Sequence, residues 1–331
     1  MRVLVVMNFG PDQATPQRGR WVVDQVEALR QLDIEVELFT FQPGKSHYLP
    51  ATRQIRRILK ERDFDLVHAH YGLAGWCARL AGADPLVVTF HGTDVRHRVV
   101  GPMSQALTKR IDLVAGVSKA LFEVEAGRPG LPLAEGRNAV LPCGTDLSRF
   151  APADRRESKS ALGLDPDTGY LFFPADPNRP EKRFDRFLEL ADECDAAVIT
   201  GGGIPPDEMS RWINASNAVV VTSDYEGFGL ACLESLACDV PVLSTPVGIA
   251  PHALKNVPNT LSSDFDLSTW SEFASGLLAQ ADPRAPGRSV SEALSAGRMA
   301  ERVLFAYEEI LDDRGGKPVL AAKFGNDGDG R

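Results

Sequence analysis

Residues 223–245 read SDYEGFGLACLESLACDVPVLST, and this stretch places two carboxylates around a predicted helix start. If a helix begins near Gly229, Glu234 lies about one and a half turns inside it, and Glu226 lies in the loop facing its N-terminus. Free backbone N–H groups at such an end bind a polyanion, while nearby carboxylates accept hydrogen bonds from sugar or ribose hydroxyls. The stretch indicates a nucleotide-sugar pocket, although the Glu spacing alone also fits an ordinary helix with solvated ends.

Short apolar runs alternate with longer amphipathic stretches along the chain, in two successive sets. The first set of predicted strands is 2–7, 35–41, 66–70, 86–90, 113–117 and 139–142, with helices at 21–32 and 52–61. The second set is 170–174, 196–200, 218–222 and 240–244, with helices at 184–193, 208–215, 229–237 and 267–279. Val- and Leu-rich strands that alternate with helices predict doubly wound parallel sheets. We therefore expect an α/β protein with two Rossmann-like domains facing one another across a cleft.

These patterns give domain boundaries. Residues 1–150 form the first domain, 151–166 a polar linker, and 167–288 the second domain. One long helix over 289–312 is expected to pack back across the domains, followed by a disordered tail over 313–331 that is rich in Gly, Asp and Lys. The length of 331 residues and the 44% hydrophobic content suffice for two cores.

Composition excludes several classes of protein. The five cysteines are widely spaced without a C-x-x-C pair, so we expect buried thiols in a reducing cytoplasm. The N-terminal apolar run is too short for a signal peptide, and no stretch approaches ~20 apolar residues.

Residues 1–150 carry 19 Lys and Arg against 16 Asp and Glu, a net of +3, and the remainder carries 17 against 29, a net of −12. The acidic half argues against a nucleic-acid partner, and the basic half fits an anionic acceptor or membrane surface.

One predicted helix in the first half carries a basic face. Arg53, Arg56, Arg57 and Lys60 follow helical spacing and share one side, opposite an apolar stripe. Such a face fits peripheral attachment to an anionic membrane, and it equally fits a solvated helix on a sheet. We expect a cytoplasmic protein, with attachment to the inner face of the membrane as the open alternative.

The segment EGFGLACLESLACDVPVLSTPVG, residues 226–248, resembles the signature of retaining glycosyltransferase family 4, whose members have the GT-B fold. The same order of motifs recurs over about three hundred residues of this chain. The resemblance implies that the second domain holds a nucleoside-diphosphate sugar and that the first holds most of the acceptor. It implies that Glu226 positions the donor sugar and Glu234 the ribose. The neighbouring residues implied in donor binding are Gly227, Phe228, Gly229 and Leu230.

The resemblance also implies a site for the donor diphosphate. In ADPNRPEKRFDRF, Arg179 and Lys182 match the family's Arg and Lys that hold this group, and Gly201 and Gly202 are assigned to the same pocket. Guanidinium and ammonium groups there offset the charge that builds on the leaving diphosphate, so no metal is assigned. None of the four Asp-x-Asp triplets has a strand-edge setting that would hold one.

Three further motifs come from the first domain. LVVTFHGTDV places His91 and Gly92 after a strand, and the resemblance implies that His91 positions the donor, with Asp94 supporting the loop. Gly19 resembles the glycine of the family's loop near the donor phosphates. His68 and His70 form His-x-His on a strand, which could bind zinc, but no third ligand is evident. The resemblance of DLVHAHYG, residues 65–72, to family sequences implies a structural or cleft-edge role instead.

Together with these observations, the resemblance implies a metal-independent, retaining glycosyltransferase of the hexosyl type. It would act in polysaccharide, glycolipid or glycoconjugate biosynthesis, without a cofactor beyond its nucleotide-sugar substrate. Two alternatives remain, a sugar-nucleotide epimerase of similar fold and a noncatalytic nucleotide-sugar-binding protein. The missing G-x-G-x-x-G after the first strand disfavours a nicotinamide dehydrogenase.

Overall fold

The computed structural model of the chain describes residues 1–11, 18–123, 130–132 and 138–314. The loop between Gly10 and Gly19 is therefore described only at its ends. The expected disordered tail lies outside the described residues from position 315 onward. Its first two positions, 313 and 314, belong to the last helix, so the expectation was wrong there.

The first domain is built on a six-stranded, all-parallel sheet. Its strands are β1 (Arg2–Met7), β2 (Glu35–Thr40), β3 (Leu66–His70), β4 (Leu86–Phe90), β5 (Leu113–Gly116) and β6 (Asn138–Val140), in the order β2-β1-β3-β4-β5-β6. Its helices are α1 (Arg20–Gln31), α2 (Lys45–Glu61), α3 (Gly72–Ala81), α4 (Thr93–Arg96) and α5 (Val100–Thr108).

The second domain repeats this architecture with five parallel strands. They are β7 (Tyr170–Phe173), β8 (Ala197–Thr200), β9 (Ala218–Val221), β10 (Val242–Ser244) and β11 (Thr260–Ser262), in the order β11-β10-β9-β7-β8. The helices are α6 (Arg155–Ala161), α7 (Phe184–Glu193), α8 (Met209–Ala215), α9 (Leu230–Ala237), α10 (Ala250–Ala253), α11 (Leu267–Leu278), α12 (Arg288–Ala293) and α13 (Ala296–Arg314).

The central strands of both sheets are buried on both faces, as their continuous apolar runs require. The predicted α/β class with two parallel sheets is confirmed. One hydrophobic cluster packs on one face of each sheet, and a third, continuous cluster contains residues from the opposite face of both sheets.

Several elements differ from their predictions. Helix α2 begins at Lys45 and contains Pro50, while α3, α5 and β11 were not predicted. Helix α3 escaped because its sequence, GLAGWCARLA, is small and apolar on most sides, so it lacks the amphipathic period used for prediction. The expected linker contains α6, whose Arg155 is buried and donates hydrogen bonds to the carbonyls of Ser216 and Pro283.

The expected single helix over 289–312 is wrong, because the chain breaks into α12 and α13. At the break, the Thr145 N–H donates to the Leu294 carbonyl at 3.0 Å, and the Ala296 N–H donates to the Thr145 carbonyl at 2.9 Å. A Cβ on Gly144 would lie 2.6 Å from the Ala296 Cα, so only glycine permits this approach. Helix α12 packs on α9 of the second domain, and α13 returns to α1 of the first.

Candidate active site

A cavity of about 620 Å³ opens between the domains. It lies at the carboxyl ends of strands from both sheets, the edge where ligands bind in doubly wound folds. Residues of both halves line it, including the predicted Arg179, Lys182, His91, Glu226 and Glu234. These five predicted residues are thus brought together around one cavity.

Lys182 and Glu226 form the central ion pair of this cleft. The Lys182 Nζ donates to the Glu226 Oε1 at 2.6 Å, and the Ser223 hydroxyl donates to the same oxygen at 2.8 Å. Lys182 and Glu226 have side-chain exposures of 11% and 16%, so both charges are largely removed from water. A charge-assisted hydrogen bond in such surroundings fixes the Glu226 carboxylate in one orientation.

Helix α9 starts beside this pair. Gly229 has φ +91°, a conformation that favours glycine, and it turns the chain from the loop into the helix. A Cβ on Gly227 would lie 2.1 Å from the His91 carbonyl oxygen, so glycine is required where this loop meets the first domain. Phe228, Gly229 and Leu230 line the cleft with Gly227, and the helix N-terminus presents backbone N–H groups to it.

Arg179 stands at a more open part of the cleft. Its guanidinium is half exposed and pairs with the Glu181 carboxylate at 2.6 Å. Gly201 and Gly202 lie against the loop after β7, and a Cβ on Gly201 would lie 2.6 Å from the carbonyl carbon of Pro174. Arg179 and both glycines line the cleft, and of the two predicted cations it is Lys182 that donates a hydrogen bond to Glu226.

Glu234 lies on α9 near two charged residues of the first-domain side. Arg149 pairs with Asp24 at 2.8 Å, and both line the cleft with Glu234. Burial raises the pKa of Glu234 to about 7, with the nearby Asp24 adding to the rise and Arg149 opposing it. Burial at this position therefore disfavours the ionised form of the Glu234 carboxyl.

His91 forms the first-domain wall of the cleft. Its ring stacks on Tyr71 with centroids 4.7 Å apart and tilts against Trp21 at 5.9 Å. The buried Asp94 carboxylate accepts hydrogen bonds from the backbone N–H groups of His91 and Gly92, both at 3.0 Å, which fixes the turn. Burial lowers the pKa of His91 to about 3, so the ring is neutral at neutral pH.

Gly19 and Gly92 hold the backbone next to cleft residues. Gly19 has φ +67° and precedes α1, and a Cβ there would lie 2.1 Å from the Phe9 carbonyl oxygen. A Cβ on Gly92 would lie 2.0 Å from the Tyr225 hydroxyl oxygen of the second domain. Both glycines therefore allow other parts of the chain to come close to their backbone. Contact of either glycine with a donor substrate stays a prediction.

His68 and His70 are fully buried in β3. The His68 Nδ1 lies 2.6 Å from the Tyr307 hydroxyl, its Nε2 lies 2.7 Å from the Thr89 hydroxyl, and the His70 Nδ1 lies 3.0 Å from the His91 Nε2. Among the described residues, no group of three or more His, Cys, Asp or Glu is placed to hold a metal ion.

Sequence reasoning missed several residues of the site. Ser223, which donates to Glu226, was missed. Its position just after a buried strand was a signal that could have identified it. Arg149 was overlooked within PCGTDLSRF because its partner Asp24 is distant in sequence. Arg18 over the Phe9 ring, at 4.0 Å, was overlooked because stacking leaves no spacing signal.

The basic face of α2 lies outside the cleft. Arg53, Arg56, Arg57 and Lys60 are exposed. Two apolar side chains are also exposed, Leu49 on the same helix and Leu80, whose carbonyl accepts a hydrogen bond from Arg56. Among the residues that the structure describes, no helix is long and apolar enough to cross a membrane.

The raised pKa of Glu234 predicts a pH-dependent stability. Because the folded protein holds this proton to higher pH than the unfolded chain, stability falls as pH rises from about 4.5 toward 7 and stays reduced above it. Glu234→Gln should therefore increase the free energy of unfolding at pH 8 by about 1–2 kcal/mol and change it little at pH 4.5. Urea unfolding at both pH values measures this, with the exposed Glu189→Gln as control; equal effects at both pH values would contradict it.

Two family models match the chain. Glycosyltransferase Family 4 matches residues 18–149, and Glycosyl transferases group 1 matches residues 181–265. The first match includes His91 and Arg149, and the second includes Lys182, Glu226 and Glu234. Together the matches cover about two thirds of the chain.

Curated relatives are similar over most of the chain. The D-inositol 3-phosphate glycosyltransferase of Mycolicibacterium paratuberculosis is 28% identical over 301 residues, covering 75% of this chain and 65% of the relative. The protein of that name from Actinosynnema mirum is 29% identical over 315 residues, covering 75% and 73%. The chain thus spans slightly less than two thirds of the length of the first relative.

Solved structures share the architecture. Sucrose-phosphate synthase from Thermosynechococcus elongatus superposes with a TM-score of 0.69 at 18% identity, covering 95% of this chain and all of that one. Anabaena HepE in complex with UDP-glucose gives 0.65 at 17% identity, covering 96% and 100%. With the two family matches and this fold, the chain belongs to glycosyltransferase family 4 and has the GT-B architecture.

Proposed function

We propose that the protein is a retaining, metal-independent glycosyltransferase that moves a hexosyl group from a nucleoside-diphosphate sugar to a hydroxyl acceptor. The observation that carries the proposal is the Lys182–Glu226 pair at the start of α9, with His91 of the other domain lining the same cleft. A cation, a carboxylate and a helix N-terminus provide the three kinds of group that a diphosphate and a sugar require.

The diphosphate would bind on the α9 N-terminus, Lys182 and Arg179. Arg179 is half exposed and pairs only with the neighbouring Glu181 in the described chain, so an entering phosphate can compete for it. Lys182 is already oriented by Glu226, which holds its ammonium at the cleft instead of in solvent. These cations would stabilise the charge that develops on the leaving diphosphate.

The sugar would then lie between Glu226 and His91. Fixed by Lys182 and Ser223, the Glu226 carboxylate would accept hydrogen bonds from sugar hydroxyls without reorganising. In the retaining reaction proposed here, transfer occurs on one face of the sugar, and the leaving diphosphate helps to deprotonate the acceptor hydroxyl. No side chain then has to act as a nucleophile. Glu234, deeper along α9, would take the ribose hydroxyls.

Binding and turnover experiments test the proposal against its alternatives. A thermal-shift screen with UDP-, GDP-, ADP- and dTDP-sugars should identify a donor, since ligand at ~100 times its dissociation constant adds roughly 2.7 kcal/mol of stability. The curated relatives are named for D-inositol 3-phosphate, so this compound belongs in the acceptor panel. Acceptor-dependent release of nucleoside diphosphate would support transfer, whereas a changed sugar without acceptor would indicate an epimerase. Donor binding without turnover would leave the noncatalytic alternative.

The two glutamates should respond differently to substitution. Glu226→Gln should reduce turnover strongly and leave nucleoside diphosphate affinity unchanged or slightly higher, because the freed Lys182 still faces the phosphates. Glu234→Gln should weaken the nucleoside diphosphate by about 1–3 kcal/mol through a lost charged hydrogen-bond pair. Calorimetry with the free nucleoside diphosphate beside rate measurements decides this. Equal losses of affinity in both variants would refute the division of roles.

The proposed metal independence makes a separate prediction. Because side chains supply the cations, transfer should retain most of its rate in excess EDTA. The rate is measured after dialysis against chelator, with a manganese-dependent glycosyltransferase as positive control. Full inactivation that manganese specifically restores would overturn this part of the proposal.

We further propose that the exposed basic face of α2 docks on an anionic membrane surface. Leu49 and Leu80 could enter the interface while the four cations meet lipid headgroups. In a flotation assay, the protein should bind vesicles containing phosphatidylglycerol more than neutral phosphatidylcholine vesicles. Binding should fall about tenfold in Arg53→Glu/Lys60→Glu. The control variant Arg156→Glu changes an exposed arginine of α6 and should bind normally; equal binding by both variants would argue for a solvated helix.

A further inference from the structure

The cleft residue His91 has a buried partner that the proposed reaction does not use. The His91 Nε2 lies 3.0 Å from the Nδ1 of His70, which is fully buried in β3. Burial lowers the pKa of both rings, and that of His70 lies well below its usual value, so both are neutral. Of two neutral rings in contact, one nitrogen must carry the proton and the other must accept it.

The second nitrogen of His70 decides which ring donates. The His70 Nε2 is buried and has no hydrogen-bond partner within the part of the chain that the structure describes. If His91 donated its proton, neutral His70 would have to carry its own proton on Nε2, as a buried N–H without an acceptor. If His70 donates from Nδ1, only a lone pair remains unpaired there. A buried N–H group without an acceptor is rarer in proteins than a buried acceptor without a donor. The arrangement in which His70 donates from Nδ1 to His91 is therefore favoured.

We infer that His70 is a positioning residue that holds neutral His91 as its Nδ1–H tautomer. With Nε2 accepting from His70, the proton of His91 must be on Nδ1. His91 then offers a hydrogen-bond donor, and not an acceptor, from Nδ1. The oxygen atoms of the sugar, which the proposed function places beside His91, are acceptors that such a donor fits. This last step rests on the proposed function, whereas the tautomer does not.

The rest of the buried chain supports the position of His70. Its ring packs on His68 with centroids 4.4 Å apart, and His68 contacts the hydroxyls of Tyr307 and Thr89. The Gln25 amide nitrogen, a donor, also lies 3.4 Å from the His68 Nδ1, and none of these three partners of His68 is hydrogen-bonded to the His70 ring within the described part of the chain. No hydrogen bond joins His68 to His70 in the described residues. His68 therefore packs against His70 but does not determine which His70 nitrogen carries the proton. A substitution of His68 is for this reason a matched control for a substitution of His70.

Nitrogen NMR of the histidine rings in the full chain tests the tautomer without any ligand. The chain has six histidines, and single substitutions assign the signals. We expect His91 in the Nδ1–H form, and a His91 ring protonated on Nε2 would overturn the inference. His70→Leu should release His91 into a mixture of tautomers, while His68→Leu should leave it in the Nδ1–H form. The same change in both variants would show packing alone, and no change in His70→Leu would also contradict the inference.

Ligand binding tests what the tautomer does. In His70→Leu, affinity for the nucleotide sugar should fall roughly two- to tenfold, the size of one neutral hydrogen bond, while nucleoside diphosphate affinity stays unchanged. His70→Asn, whose amide can donate toward His91, should restore part of the loss. Equal affinity of wild type and His70→Leu for the nucleotide sugar would overturn the positioning role. If wild type binds no nucleotide sugar at all, the proposed function fails, and the NMR result on the tautomer stands separately.

Discussion

The geometry of the cleft depends on one place where the chain crosses between the domains twice. The outward crossing passes Thr145 and Phe150, and the return crossing passes the break between α12 and α13. Reciprocal backbone hydrogen bonds at Thr145 join the two crossings, and Gly144 leaves room for them. Arg288 adds hydrogen bonds to the carbonyls of Phe150 and Ala237, which ties this junction to α9. The helix whose N-terminus faces the cleft is therefore held by the segment that connects the domains.

Contacts across the mouth of the cleft complete this arrangement. The Ser118 hydroxyl donates to the Gly227 carbonyl at 3.1 Å, and the Arg96 guanidinium lies 4.3 Å from the centre of the Tyr225 ring. Both second-domain residues flank Glu226. The loop that carries this carboxylate is thus clamped between its own Lys182 and the first domain. Because hinge motion between the domains would change these contacts, the position of Glu226 and the closure of the cleft are coupled.

Sequence predicted the parts of this molecule that rest on local patterns. The buried strands were found because parallel strands covered on both faces appear as continuous apolar runs. The cleft residues were found through motifs that resemble those of the family and that stand after such strands. The features that were not predicted depend on contacts between residues that are distant in sequence. The break after α12 is set by Thr145, the pairing of Arg149 by Asp24, and the burial of Arg155 by carbonyls more than sixty positions away. No spacing rule links such residues before the fold has brought them together.

The histidines of β3 show the same limit in a single motif. His-x-His on a strand indicates two side chains on one face, which is the starting point of a metal site. The fold instead gives each ring a different neighbour, with Tyr307 of α13 against His68 and His91 of the cleft against His70. Helix α13 reaches His68 only because the chain has crossed back at Thr145. The crossing at Thr145 therefore also supports the buried histidines behind His91. The same crossing positions α9 on the other side of the cleft, so both sides of the cleft depend on it.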